Sequence, residues 1–324
     1  MTGPVYVSAP LSGDRAADFA AACELRTGDG SAGLSSDRLP PGIEECVGLV
    51  CLLVDRVDRA LLDAMPALRF VSSVSVGVDH VDVGALTDRR IPLGHTPGVL
   101  VDATADTAFA LLLAAARRVA EGDRFIRAGR WRAEGRWSPD FFLGRDLAGS
   151  TLGIIGLGDI GRAVARRAAG FGMRVIAWTR SGREVPGVQS VDLETLLARS
   201  DFVSVNVALT EETRNMLDAR RIAQMKPGAV LVNTARGGIV DEAALADALE
   251  SGHVYAAGLD VYEQEPLATD SPLLDHPRVV LVPHIGSATA RTRAAMVDLA
   301  LANALAALGG EPMPHCVNPE VYGG

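Results

Sequence analysis

The stretch from Gly149 to Ala168, GSTLGIIGLGDIGRAVARRA, restricts the fold of this chain more than any other. Thr151 to Ile155 is short, apolar and rich in β-branched residues, and Gly156, Gly158 and Gly161 follow ahead of an alanine-rich stretch. This order predicts a buried parallel strand that turns on glycines into a helix. Gly156 suits the tight turn, Gly158 lets backbone come up to a pyrophosphate, and Gly161 lets the helix lie close on the strand. The unpaired N–H groups at the helix start favour an anion. Alone, G-x-G-x-x-G also fits an ordinary glycine-rich loop, so its surroundings decide.

A second buried strand is predicted over Gly172 to Trp178, and a dinucleotide fold usually places an acid at its end to hold the ribose hydroxyls. Here that place reads Trp178-Thr179-Arg180-Ser181, with Arg183 beyond. An acid would repel a ribose 2′-phosphate, whereas a guanidinium binds one through paired charge-assisted hydrogen bonds. The expected cofactor is NADP(H) in preference to NAD(H), with NAD(H) still usable. The alternative is that Arg180 and Arg183 are only solvated loop charges.

At 324 residues there is room for two domains. The apolar run Ala108 to Ala116 is short and followed by Arg117-Arg118, so no membrane span is expected, and the first residues lack a basic start and an apolar signal core. A cytoplasmic protein is expected. Cys23, Cys46, Cys51 and Cys316 form no C-x-x-C pair, and no histidine spacing suggests a metal site. A net charge of −9 argues against nucleic-acid binding.

The first hundred residues alternate short apolar runs with helical ones: strands at Val5 to Ser8, Gly48 to Val54, Leu68 to Val74 and Ile91 to Thr96, helices at Ser12 to Leu25 and Asp58 to Met65. That pattern predicts a small parallel α/β domain. Ser75-Val76-Gly77-Val78-Asp79-His80 follows a strand, where ligands of open parallel sheets gather, although a plain strand-to-helix loop is an equal reading. A long apolar helix, Thr104 to Glu121, leads into the second domain. The aromatic segment Phe125 to Leu147, with Trp131, Trp137, Phe141 and Phe142, suggests an arm that reaches a partner subunit. Beyond the glycine turn come a helix over Leu193 to Arg199 and strands at Phe202 to Val207, Ala229 to Arg236, Val254 to Asp260 and Val279 to His284. Their ends deliver Thr234, Arg236, Asp260 and His284 to one edge. A last helix, Thr289 to Leu308, returns to the first domain.

Four spaced motifs, Gly156-Leu-Gly-Asp-Ile-Gly, Asn233-Thr-Ala-Arg-Gly-Gly, Gly258-Leu-Asp-Val-Tyr-Glu-Gln-Glu-Pro and Pro283-His-Ile-Gly-Ser-Ala-Thr, together resemble the D-2-hydroxyacid dehydrogenases over nearly the whole chain. Within that family Ser75 to His80, Thr96 to Asp106 and Val317-Asn-Pro-Glu-Val look most like the glyoxylate/hydroxypyruvate reductases. The resemblance implies two Rossmann-like parallel-sheet domains with a cleft between them. One is a flavodoxin-like substrate-binding domain at 1–101 and 290–324, the other a dinucleotide-binding domain at 102–289.

It also implies a homodimer, and reduction of a small 2-oxo acid such as glyoxylate or hydroxypyruvate. Arg236 would bind the substrate carboxylate, His284 would donate the proton, and Glu265 would hydrogen-bond His284. The amides of Val76 and Gly77 would hold the same carboxylate, with Leu53 limiting pocket size. Asp159 and Ile160 would meet the pyrophosphate, Arg180 and Ser181 the adenosine ribose, and Thr213 would lie nearby. Thr104, Thr234, Ala235, Asp260, Gly286 and Ser287 would surround the nicotinamide. The chemistry agrees, because an imidazolium supplies a proton near neutral pH and a guanidinium matches a planar carboxylate. Singly, Arg236, Glu265 and His284 read equally as loop residues; their joint occurrence in the motifs sets them apart from His80, His95, His253, His276 and His315. The family often has proline where Ala208 stands. Phosphoglycerate dehydrogenase is the alternative enzyme, disfavoured by the missing acid at the ribose, and a nucleotide-sensing corepressor is the alternative outside enzymes.

Overall fold

The computed structural model describes residues 3–31, 33–135, 137–180, 182 and 185–323. It divides into two units, Met1–Leu100 with Ala288–Gly324, and Val101–Ser287. In the first unit, strands β1 (Val5–Val7), β2 (Leu25–Thr27), β3 (Gly48–Cys51), β4 (Phe70–Ser73) and β5 (Leu93–Gly94) form one sheet in the order β2-β1-β3-β4-β5. Every pairing is parallel. Helices α1 (Ala16–Ala22), α2 (Arg59–Ala64) and α3 (Val83–Asp88) connect them. Asp58 and Asp82 set where α2 and α3 begin, each accepting the amide three residues on, Leu61 at 3.0 Å and Ala85 at 2.8 Å.

One expectation fails here. The helix expected over Ser12 to Leu25 stops at Ala22, Cys23 is extended, and Leu25–Thr27 pairs with β1 as an edge strand. A three-residue edge strand is too short to show alternation, so periodicity could not separate it from the helix before it.

The second unit carries β6 (Thr151–Ile155), β7 (Arg174–Trp178), β8 (Gln189–Ser190), β9 (Phe202–Val205), β10 (Ala229–Asn233), β11 (Val254–Leu259) and β12 (Val279–Leu281), in the order β12-β11-β10-β9-β6-β7-β8. All pairings are again parallel. The helices are α4 (Val101–Ala116), α5 (Val119–Arg127), α6 (Arg130–Ala133), α7 (Asp159–Gly170), α8 (Leu193–Arg199), α9 (Ala219–Ala223) and α10 (Glu242–Glu250). Both sheet faces are covered. Val230 and Val232 of β10 pack with Ala108 and Leu112 of α4 and Val164 of α7, while Leu231 between them packs with Leu197 of α8 and Leu245 of α10. Burial on both faces is why these strands read as continuous apolar runs. The chain moves outward from β6 to β7 and β8, then crosses back to β9. The glycine turn at the end of β6 therefore lies where strand order reverses, the usual ligand position in such sheets.

The helix expected over Thr104 to Glu121 is instead two helices. Arg118 adopts a left-handed φ of 56°, and its guanidinium binds both oxygens of Glu121 at 2.7 Å and lies over the Phe142 ring. In the aromatic segment, Phe125, Phe141 and Phe142 pack edge-on or tilted against one another with centroids 5.1–6.0 Å apart, while Trp131 and Trp137 are exposed at 54% and 85%.

The chain returns to the first unit as α11 (Ala290–Leu308), started by Thr289, whose hydroxyl accepts the Thr292 amide at 3.1 Å. Ser72 of β4 donates to Ala300 O at 2.8 Å beneath it. Among the described residues no helix is long and apolar enough to cross a membrane.

Candidate active site

The three glycines of the β6–α7 turn do different work. Gly156 has φ +99°, and a Cβ there would lie 2.9 Å from Asn206 O. A Cβ on Gly161 would run into the carbonyl oxygen of Gly156, so only glycine lets α7 start this close to β6. Gly158 is exposed, and a Cβ on it would meet nothing within 4 Å. Its want of a side chain is therefore not a packing requirement of the protein; it leaves an open cradle beside the start of α7. That helix begins at Asp159 and Ile160 with no side-chain cap, so its first amides face outward. Arg162 pairs with Asp159 and offsets the one acid at this helix start.

At the ends of β10, β11 and β12 the structure assembles the polar cluster. After β10, the buried side chain of Asn233 accepts the Ala235 amide at 3.0 Å and donates to Arg236 O at 2.8 Å, fixing the turn that carries Thr234, Ala235 and Arg236. The Arg236 guanidinium donates to Ala235 O at 2.8 Å. After β12, Nδ1 of His284 lies 2.7 Å from Oε2 of Glu265, with side-chain exposures of 23% and 28%. An ionised carboxylate only accepts, so Nδ1 carries the proton of this bond and Nε2 takes no part in it. The other oxygen of Glu265 accepts the Tyr262 amide at 3.1 Å.

Burial works against charge on Glu265, but the His284 hydrogen bond and charge, the Tyr262 amide and the nearby Arg236 outweigh it and hold the carboxyl below its ordinary range. Asp260 has the opposite balance. It is 1% exposed, and burial pushes its carboxyl up although it accepts the amides of Ile285 at 2.6 Å and Gly286 at 2.8 Å. Those two bonds hold the segment after His284, itself at a left-handed φ of 51° that a non-glycine residue adopts only when its surroundings impose it.

Of the residues expected around a nicotinamide, Thr104, Asp260 and Gly286 meet: a Cβ on Gly286 would lie 2.9 Å from Asp260 Oδ2 and 3.4 Å from Thr104 Cγ2. Ser287 is buried beside them in sequence. Thr234 Oγ1 is buried and has no hydrogen-bond partner among the described residues. A buried hydroxyl left without a partner is costly, and a polar ligand group would satisfy it. The open cradle at Gly158 and this orphan hydroxyl both fit a bound dinucleotide.

Further out, Arg180 follows β7 and donates to Glu212 at 2.7 Å, both side chains largely exposed. Thr213 directs its hydroxyl proton to Ala208 O at 2.7 Å and accepts the Thr210 amide, so it shapes its own loop. Ser181, expected at the ribose, and Arg183 lie outside the described residues.

In the first unit Leu53 sits in the turn after β3, and Val76 and Gly77 in the loop after β4. Val76 O meets Nδ1 of His95 at 3.1 Å, and Gly77 O accepts from Ser75 Oγ at 2.8 Å. The carbonyls are thus tied down and the loop is held in one shape.

The sequence reading did not single out Asn233, Tyr262 or Glu242. Each stands inside or beside a motif already quoted; Asn233 shapes its own turn, while Tyr262 and Glu242 bond backbone groups 20 and 21 residues away, which spacing does not reveal.

Residues 109–286 match the family described as D-isomer specific 2-hydroxyacid dehydrogenase, NAD binding domain, and the chain belongs to that family of oxidoreductases. Among curated relatives, a glyoxylate reductase of Korarchaeum cryptofilum is 48% identical over 299 residues, 89% of this chain and 90% of that one. A glyoxylate/hydroxypyruvate reductase B of Shigella boydii is 48% identical over 82% of this chain and 83% of its own. Among solved structures, an NADPH-dependent glyoxylate/hydroxypyruvate reductase from Sinorhizobium meliloti, in complex with NADP and malonate, superposes with a TM-score of 0.87 at 33% identity, covering 98% of both chains.

Proposed function

We propose that this chain reduces small 2-oxo acids, glyoxylate to glycolate and hydroxypyruvate to D-glycerate, and prefers NADPH to NADH. The observation that carries the reading is the His284–Glu265 pair beside Arg236, at the strand ends of a sheet that also bears the glycine cradle. The cofactor, when bound, supplies the hydride to the carbonyl carbon; the outward amides of Asp159 and Ile160 would hold its pyrophosphate and Thr234 its nicotinamide end. Arg236 holds the substrate carboxylate. His284 donates the Nε2 proton to the oxygen that becomes the hydroxyl, and the Glu265 carboxylate stabilises the imidazolium before that transfer. In the reverse direction neutral His284 takes the proton back. In the first unit, the amides of Val76 and Gly77 bind a carboxylate and Leu53 limits its size.

Preference for NADPH is supported by Arg180 just beyond β7, where an acid would read the ribose hydroxyls; a 2′-phosphate would take over the guanidinium that pairs with exposed Glu212. Exposed Trp131 and Trp137 support a homodimer through the aromatic segment, and a cytoplasmic location fits the sequence. The test is a steady-state assay of nicotinamide oxidation with glyoxylate, hydroxypyruvate and larger 2-oxo acids, each with NADPH and NADH. The reading expects turnover of the two small acids with the higher kcat/KM for NADPH. No turnover, with nucleotide binding retained, would favour a nucleotide-sensing role.

A further inference from the structure

Glu265 lies on the loop of residues 260–265, and three contacts fix that loop to its neighbours. Tyr262 donates its hydroxyl to Val282 O at 2.9 Å and Leu259 O at 3.2 Å, tying the loop to the end of β12 just before His284. Gly237 lies so close to the Tyr262–Glu263 peptide that a Cβ on it would overlap the Tyr262 carbonyl, which registers the Arg236 turn against the same loop. The third contact comes from the start of α10, where Oε1 of Glu242 accepts the Glu263 amide at 2.5 Å. Glu242 is not needed to start its helix, because Asp241 already caps α10 by accepting the Ala244 amide at 2.9 Å. It is partly buried, and its carboxylate reaches across 21 residues to the loop that carries the proposed proton-relay carboxylate.

We propose that Glu242 is a positioning residue for the reaction: its carboxylate holds the Glu263 amide and thereby sets Glu265 at hydrogen-bonding distance from His284. This rests on the reductase reading of the site. Burial raises the Glu242 carboxyl, and the charges of Glu263 and Glu265 push it the same way, while the Glu263 amide opposes them. The charged and titratable groups facing Glu265 are His284, Arg236, Asp260, Glu242 and the Tyr262 phenol, so a change at Glu242 can act through charge as well as through position. The test must separate the two.

Two conservative variants do so. Glu242→Gln keeps the length and an oxygen to accept the Glu263 amide but removes the charge, whereas Glu242→Asp keeps the charge and falls short by one methylene. If Glu242 acts by position, Gln retains kcat for glyoxylate reduction within about threefold and keeps the wild-type alkaline limb. Asp lowers kcat by about 10- to 100-fold, since an ångström of misplacement suffices for that, with KM for NADPH within about twofold. The alkaline limb of kcat/KM in Glu242→Asp should move down toward that of Glu265→Gln, and adding Glu242→Asp to Glu265→Gln should change kcat by less than about threefold, because the two act through one contact. The proposal is overturned if Asp behaves as wild type, if Gln is impaired as much as Asp, or if the double variant shows the full product of the single effects. Absence of glyoxylate reduction in the wild type would instead overturn the reading of the site, so the two failures are distinct.

Discussion

Changing Glu265 to Gln keeps the side chain's shape and removes its charge, and its two hydrogen bonds make the outcome specific. A carboxylate accepts from both Tyr262 N at 3.1 Å and His284 Nδ1 at 2.7 Å, but a carboxamide has only one oxygen. With that oxygen toward Tyr262, the amide NH₂ faces Nδ1, which must then be unprotonated; the proton sits on Nε2 and no base remains for oxidation of a hydroxy acid. With the oxygen toward Nδ1 the imidazolium survives, but two donors face each other at Tyr262, at a cost of about 1–3 kcal/mol.

The loss of charge adds to this. Glu265 is held below the ordinary carboxylate range, so its own charge is complete above that range and is lost only as acid protonates the carboxyl through its lowered value. The alkaline limb of reduction therefore reports loss of the ring proton, not titration of Glu265. Removing an opposite charge at 2.7 Å, in a pair about one-quarter exposed, disfavours the imidazolium. We expect the alkaline limb of kcat/KM for glyoxylate to fall to lower pH in Glu265→Gln and kcat/KM on that limb to drop by about 10- to 100-fold, since a hydrogen bond to a charged group is worth about 1.5–3 kcal/mol. Oxidation of glycolate should fall below the wild-type level because the Nε2–H tautomer leaves no base, and its acid limb should move down together with the alkaline limb of reduction. Profiles recorded in both directions decide the matter. An unmoved alkaline limb, or oxidation at the wild-type level, would show that Glu265 does not act through His284.

The glycines of the β6–α7 turn give a paired test. Gly161→Ala, which must displace a backbone oxygen, should cost about 1–3 kcal/mol and lower Tm by about 2–4 °C per kcal/mol, whereas Gly158→Ala should barely alter Tm and raise KM for NADPH about tenfold. Equal thermal shifts, or an unchanged KM in Gly158→Ala, would contradict the cradle. Arg180→Asp should lower the ratio of kcat/KM for NADPH over NADH by about 10-fold or more, since a hydrogen bond to a charged group is worth about 1.5–3 kcal/mol; an unchanged ratio would assign the 2′-phosphate to another group. Light scattering should give a dimer at micromolar concentration and a shift toward monomer in a Trp131→Ser, Trp137→Ser double variant, and a wild-type monomer would end the proposal of a homodimer.

The sheet framework was legible because doubly buried strands leave uninterrupted β-branched runs and the glycine turn has one geometry. Helix α8 was read at both ends, Leu193 and Arg199, since Asp192 is a plain N-cap whose side chain accepts the Thr195 amide. The break at Arg118 was not legible, because its left-handed backbone is held by Glu121 and the distant Phe142. Strand β2 was hidden by its length. At the site, Arg236, Glu265 and His284 could be named from their motifs, but what holds them could not. Asp260 under Ile285 and Gly286, and Glu242 against Glu263, act on backbone groups that only the folded chain brings near.

In the proposed reaction, hydride passes to the 2-oxo carbon and His284 delivers the proton. Incubating the wild type with hydroxypyruvate and NADPH deuterated at the transferable position, then analysing the product by NMR and chiral chromatography, tests it most directly. Reduction by this route gives D-glycerate with one deuterium at C2, and a loss of rate of about 10²- to 10⁴-fold at every pH in His284→Ala. Glycerate without deuterium at C2, or a His284→Ala variant as active as the wild type, would contradict it.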